Sequence, residues 1–309
     1  MSLSESELKM IGGSDAGVLV GVDRYRTPID IYARIVEGAA TATTQPMRRG
    51  TLMEPVIREL YREETQAQLL GPRTLRSERY PFARASLDDV AVRGGSERVA
   101  EFKSANIRMA HLWGPPDTDE VPPQYLCQVQ WYLGMSGLPV ADLAVLLGGD
   151  ELRIYELHAD AELQGMLFEA AERFWVDHVQ ARKPPQPDAS EGYAKFLRAK
   201  FPKDNGDTVQ ADAVAVEWAR KLREAEAQIC AAEKQREAAR QALIAAMKSA
   251  SCMEGPGFRI SYRLAKGRAS TNWAAVCSEA QVPKEVIEKY TEAKPYRPFR
   301  PTWSNKNGY

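Results

Sequence analysis

A chain of 309 residues and 34.4 kDa is long enough for one large core with an appendage, or for two domains. Its 41 Lys+Arg stand against 42 Asp+Glu, so a nucleic-acid role needs locally concentrated basic groups, and net charge neither supports nor excludes DNA. Cys127, Cys230, Cys252 and Cys277 form no CxxC pair and only three histidines are present, which argues against a zinc site and a disulfide framework and for reduced thiols. No apolar run approaches the roughly 20 residues that span a bilayer, and "MSLSESELKM" lacks the basic start and apolar core of a signal peptide. A soluble, intracellular protein without a membrane partner is expected.

In chain order, "IGGSDAGVLVGVDRYRTPIDIYARIVEG" reads as a Gly-rich turn, a short helix from about Ser14, with Ser14 or Asp15 as N-cap, a loop closed by Pro28, and a helix ending near Gly38. "ATATTQPM" reads as a loop of small residues. "RRGTLMEPVIRELYREET" follows as a helix with Leu52, Val56, Ile57 and Leu60 at helical spacing and Glu54 near its start. The pattern then changes to strands, "RYPFARASLDDVAV" and "RVAEFKSA", joined by a turn at "RGGSE". Pro122 and Pro123 open a helix through "QYLCQVQWYLGM", and "ADLAVLLGGDELRIYELH" predicts a hairpin turning at Gly148 and Gly149. Asp160 caps a further helix reaching about Arg182. Helices, hairpin, helix, hairpin, helix: this order predicts an α/β sandwich with a mixed sheet, not a doubly wound dinucleotide fold.

Beyond the proline-rich "RKPPQPDASEG", Trp218, Leu222, Ala225, Ile229, Ala232, Ala239, Leu243 and Ala246 alternate steps of three and four, interrupted at Arg236. That spacing predicts a long amphipathic helix of about 35 to 40 residues, suited to packing on the first domain or on a returning segment, or to self-association. Strands in "FRISYRLAKGRAS", a short helix around 282–290 and the basic, aromatic "YRPFRPTW" complete the chain. The tail could stack on single-stranded DNA or cover an exposed edge. No internal repeat is present.

Residues two apart in a strand share a face, so Glu101 and Lys103 point one way and Phe102 the other. The hairpin can bring Asp88 or Asp89 beside Glu101. Two carboxylates and a lysine suit phosphodiester hydrolysis, because oxygen ligands hold Mg²⁺, the ion neutralises the phosphate, and the lysine positions or helps to deprotonate the attacking water. ExK alone is weak, since Glu7-Leu8-Lys9 and Glu292-Ala293-Lys294 also fit it and solvated charges are the common explanation. Glu54 adds a carboxylate that a helix N-terminus would itself favour. Gln128 and Tyr132, four apart, share a helix face, although a core tyrosine is an equally ordinary finding.

As an ordered set, "IGGSDAGVLVGVDRYRTPIDIY", "RRGTLMEPVIRELY", "ASLDD", "VAEFKSA" and "VPPQYLCQVQWYLGMSG" resembles the YqaJ-like viral recombinases, relatives of the lambda exonuclease among the PD-(D/E)xK nucleases. The resemblance covers residues 11 to about 180 and continues more loosely through "FRISYRLAKGRAS" and "EKYTEAKPYRPFR". It implies a restriction-endonuclease-like core over residues 1–188, a linker and long helix over 189–250, and a small α/β extension over 251–309. It further implies that Asp88, Glu101 and the Phe102 backbone carbonyl bind Mg²⁺, with Mn²⁺ as a substitute, and that Glu54 completes the carboxylate set. Lys103 then attends the water, Gln128 and Tyr132 form the QxxxY element, and Ser14 lies near the DNA 5′ phosphate. The family usually has Gly after the metal-binding Asp, where Asp89 stands here, and an arginine before the GGS motif, where only Lys9 is available.

The activity so implied is Mg²⁺-dependent exonuclease digestion of duplex DNA ends from the 5′ side, for phage-type recombination. A homotrimer, a single-strand annealing partner, and a phage or prophage protein in the cytoplasm of a bacterial host belong to the same resemblance. The alternatives are an endonuclease or end processor on the same site, the Cas4-like version disfavoured by the lack of a cysteine cluster for iron and sulfur, and a silent DNA-binding or assembly module. His111 and Trp113 could contact DNA, but anchoring to the core is the plainer role. His158 and His178 read as surface or packing residues, and Arg24, Arg26, Arg48 and Arg49 as phosphate-tracking or solvated charges.

Overall fold

The structure, a computed structural model, describes residues 7, 9–40, 44–116, 118–265, 267, 270–291 and 298–303. Parts of the expected loop at 41–43, of "FRISYRLAKGRAS" at 266, 268 and 269, and of the basic aromatic tail at 292–297 and 304–309 lie outside the described residues. The chain divides into two compact units, Met1–Phe201 and Pro202–Tyr309.

Among the described residues of the first unit, helix α1 spans Gly13–Leu19. Its N-cap is Gly12, not Ser14 or Asp15; Asp15 lies one turn in and accepts from the Gly12 N–H at 2.9 Å. Thr27 caps α2 (Pro28–Val36), where Pro28 occupies a first-turn position that needs no N–H donor. α3 (Gln45–Thr65) starts earlier than the hydrophobic spacing suggests, because Thr44 accepts from Met47 N–H and Pro46 fits the first turn. Glu54 is therefore mid-helix, and the helix dipole does not account for it. The buried face of α3 is Ile57 and Tyr61, with Met53 and Leu60 packed beside them, whereas Leu52 and Val56 are exposed.

Five strands form the central sheet in the order β1 (Gln68–Leu69), β4 (Asp89–Arg93), β5 (Ser96–Ala105), β6 (Val140–Leu147), β7 (Glu151–His158). β4–β5 and β6–β7 are antiparallel and β5–β6 parallel. The antiparallel pairs turn on Gly94-Gly95 and Gly148-Gly149, all at positive φ, as tight hairpins require. The parallel pair needs a crossover, supplied by a 3₁₀ turn (Ile107–Leu112) and α4 (Pro123–Ser136). The stretch predicted as one strand from 79 is instead interrupted: β3 (Arg84–Leu87) pairs with β2 (Arg73–Arg76), and β4 begins after Asp88.

Alternation along β5 divides the core. Val99 joins Ile11, Trp131, Leu143 and Val145 in one cluster, and Ala100 and Phe102 join Ile57, Tyr61, Ala144 and Leu146 in the other. The sheet is thus covered on both faces, by α4 on one and α3 on the other, giving the mixed sheet flanked by helices that the pattern predicted. Every residue of β6 is buried, as a central strand covered on both faces should be. Asp160 caps α5 (Ala161–Phe174), its Oδ1 accepting from the N–H groups of Glu162 and Leu163 at 3.0 Å; a π turn (Trp175–Gln180) follows. After the prolines comes an unforeseen helix, α6 (Glu191–Lys200), whose buried Phe196 meets Tyr32 of α2 edge-on. The first unit accordingly closes at Phe201 rather than at residue 188.

The second unit contains the long helix, α7 (Ala213–Met247), capped by Asp212. Its predicted stripe is largely in solvent, with Trp218, Ile229 and Leu243 exposed. A hairpin, β8 (Cys252–Gly255) and β9 (Phe258–Ser261), and helices α8 (Trp273–Glu279) and α9 (Lys284–Lys289) follow. Among the described residues no helix is long and apolar enough to cross a membrane.

Candidate active site

The β4–β5 register decides how the adjacent acids are used. Asp89 lies opposite Ala100, on the α3 side of the sheet, so Asp88 falls beside Glu101 on the other face. Asp88 Oδ2 accepts from the Phe102 N–H at 3.0 Å, in the place where β4 would otherwise have continued the ladder. Asp89 is fully buried and committed elsewhere: its Oδ1 accepts from Gly71 N–H at 2.8 Å, and Arg58 Nη2 lies 2.5 Å from Oδ2.

Glu101 is 1% exposed. Its Oε1 accepts from Lys103 Nζ at 2.5 Å and from Gln128 Nε2 at 2.7 Å, and Gln128 Nε2 is also 2.9 Å from Tyr132 Oη. Helical spacing on α4 thus puts both members of the QxxxY pair against the ExK strand. Lys103 Nζ stands 5.4 Å from the centre of the Tyr125 ring, also on α4. The second Glu101 oxygen, Oε2, is buried without a hydrogen-bond partner.

Burial first, and then the neighbouring Asp88 charge, push the Glu101 carboxyl up to about 8 against the pull of Lys103. Burial acts against the Lys103 ammonium too, but Glu101 and Asp88 outweigh it and hold the lysine above its ordinary value. The Tyr132 phenol is raised well above its usual range by burial, then by Glu101 and Asp88. Glu54, half-buried on α3, is raised by burial and then by Asp88. An excess of carboxylate over cation is concentrated at one buried point.

Such a point suits a hard divalent cation. The Glu101 oxygen without a donor and the adjacent Asp88 carboxylate are ligands of the right chemistry. The N–H and C=O of one strand residue point to the same side, so the Phe102 carbonyl is directed to the edge where its N–H meets Asp88. Glu54 feels the Asp88 charge without joining a three-carboxylate cage: among the described residues no group of three or more His, Cys, Asp or Glu side chains converges as a metal site. Mg²⁺ commonly takes one or two carboxylates and completes its shell with water, so the donor set still fits.

Ser14 is exposed in the first turn of α1. The basic groups around this turn come from later in the chain. Arg26 reaches the Ser14 carbonyl and Asp15, Arg34 contacts Asp15 at 2.7 Å, and the Arg84 guanidinium lies against Gly12. No local spacing could have revealed Arg34 or Arg84 here. Trp113 is buried, stacked on Tyr125 at 5.4 Å and 23°, whereas His111 is exposed and bonded to the Arg108 carbonyl. His158 and His178 lie at the surface, and Arg24, Arg48 and Arg49 are exposed.

Residues 5–139 match the YqaJ-like viral recombinase domain. The protein YqaJ of Bacillus subtilis (strain 168) is 28% identical over 198 residues, covering 62% of this chain and 60% of that protein. The domain match lies within the first unit, and the chain spans 60% of the length of the curated relative it matches. Among solved structures, the alkaline exonuclease LHK-Exo from Laribacter hongkongensis is similar over 63% of this chain and 96% of its own, with 17% identity and a TM-score of 0.47. A phage-related exonuclease from Haemophilus somnus 129PT is similar over 56% and 96%, with 13% identity and a TM-score of 0.44.

Proposed function

We propose that this protein is a metal-dependent deoxyribonuclease that digests duplex DNA from its ends in the 5′-to-3′ direction, supplying single strands for recombination. The observation that carries the reading is the buried Glu101 Oε2, without a donor, beside Asp88 and two residues from Lys103. Asp88, Glu101 and the Phe102 carbonyl would hold Mg²⁺ or Mn²⁺. When bound, the ion would offset phosphate charge and lower the pKa of a water. The chain's own groups do the rest. Lys103, held as an ammonium by Glu101 and Asp88, donates to and orients the attacking oxygen. Gln128 and Tyr132 fix Glu101 on that face, and Glu54 adds negative charge at the rim. Ser14, with Arg26 beside it, would meet the 5′ phosphate. The match to the viral recombinase domain supports the recombination role; polarity, a homotrimer and a single-strand annealing partner rest on the resemblance of the sequence motifs alone.

End-labelled linear duplex and closed circular DNA, each with Mg²⁺ or EDTA, test the reading with wild type and Lys103→Ala. Metal-dependent loss of the linear substrate alone, abolished by the substitution, is expected. Cutting of the circle would make the protein an endonuclease. Folded wild type that digests neither substrate with any divalent metal would sink the enzyme reading.

A further inference from the structure

Asp89 is a buried charge that the proposed reaction does not touch. Beside the Gly71 N–H on Oδ1, its side chain meets Arg58, whose Nη2 lies 2.5 Å from Oδ2 in an ion pair. Arg58 follows Glu54 by four residues on α3, so the two share a helix face. Asp89 directly follows Asp88 in the chain. One ion pair thus joins the helix bearing Glu54 to the residue beside Asp88. Its failure would not be local: a carboxylate fully buried in the sheet and stripped of its cation is relieved by taking up a proton or by movement of β4 or α3, and either changes the setting of the adjacent Asp88.

We propose that Asp89 and Arg58 are positioning residues of the metal site, their ion pair holding Asp88 against Glu101 and Glu54 near Asp88 at the spacing that admits a divalent cation. The two adjacent acids then divide the work. Asp88 faces the ion, and Asp89 faces the arginine that aims Asp88. The activity arm of the test rests on the nuclease reading; the binding arm rests on the carboxylate site alone.

The test compares full-length wild type, Asp89→Asn, Arg58→Gln and the double variant by calorimetric titration with Mn²⁺ alone, and by Mg²⁺-activated digestion of linear duplex. Asp89→Asn keeps an acceptor for the Gly71 N–H, so it should fold where an alanine would not. Each single substitution is expected to weaken Mn²⁺ binding by about tenfold or more. The Mg²⁺ needed for half-maximal digestion should rise in parallel, with KM for duplex within about twofold of wild type. The double variant should bind no more weakly than the weaker single, because both residues act through one contact, and Arg58→Lys should recover part of the loss. A purely structural role would lower the unfolding midpoint and leave Mn²⁺ affinity of the folded protein unchanged, and that result would overturn the proposal. Wild type that binds Mn²⁺ but digests no DNA would defeat the nuclease reading while the binding comparison still decided this one; wild type that binds no Mn²⁺ would defeat both.

Discussion

Gly13 lies against the ring of Tyr132 so closely that a Cβ on residue 13 would fall 2.3 Å from Cε1. The GGSD turn and the QxxxY helix, far apart in sequence, are thereby a single packing unit. One turn further along α1, Gly17 faces the Gln124 backbone, with Cα 3.1 Å from where its Cβ would be. The two glycines let α1 approach α4, and Tyr132 in turn steadies Gln128 against Glu101.

Gly13→Ala is therefore expected to push Tyr132 or α1 aside. An overpacked core of this kind costs about 1 to 3 kcal/mol. Urea unfolding should show that loss, and DNA digestion should fall by more than the folded fraction does, because the displaced ring is hydrogen-bonded into the site. Unchanged stability with unchanged turnover would show that α1 does not set the position of Tyr132.

Glu101 makes the metal-free protein sensitive to pH. Its carboxyl titrates near 8 when folded against an ordinary value of 4.5. A group raised on folding contributes stability that is complete below the unfolded value and is lost as pH climbs through the folded one. In EDTA, stability should decline between about pH 4.5 and 8 for this reason, and Glu101→Gln, which cannot ionise, should flatten that decline. Denaturant midpoints of both proteins at pH 5, 7 and 9 check this; parallel curves would remove Glu101 as the cause. Because the ligands must be deprotonated to bind metal, the Mg²⁺ requirement should fall over the same range.

Opposite Ala100 in the β5–β6 register, on the α3 face of the sheet, Asp142 is fully buried and accepts from Tyr61 Oη at 2.6 Å and Arg98 Nη1 at 2.8 Å. Tyr61→Phe removes a neutral donor and is expected to cost about 1 to 3 kcal/mol. Arg98→Met strips charge from a buried ion pair and is expected to cost about 3 to 5 kcal/mol. Chemical denaturation should rank the two in that order. The reverse order would mean that Arg93, which also reaches Asp142 at 3.2 Å, carries the charge compensation.

Much of this was readable in the sequence where the signal was local. Paired glycines marked both hairpins, alternation placed Glu101 with Lys103, and a four-residue interval put Gln128 and Tyr132 on one face. What escaped depended on partners distant in the chain. Asp88 and Asp89 are indistinguishable until Arg58 and Gly71 claim one of them. Residues β1 and β2 span were too short to show a period, α6 followed a proline-rich stretch that read as a break, and α3 began inside an apparent loop because Thr44 and Pro46 start helices without apolar spacing. Arg34 and Arg84 reach the GGSD turn through α2 and β3.

The most direct test of the central claim is digestion of 5′-labelled linear duplex in Mg²⁺ by wild type, Glu101→Gln and Asp88→Asn, each checked for wild-type folding by circular dichroism. The account predicts degradation by wild type that EDTA abolishes, and none above background by either variant. Digestion that persists in EDTA, or that survives the loss of either carboxylate, would contradict it.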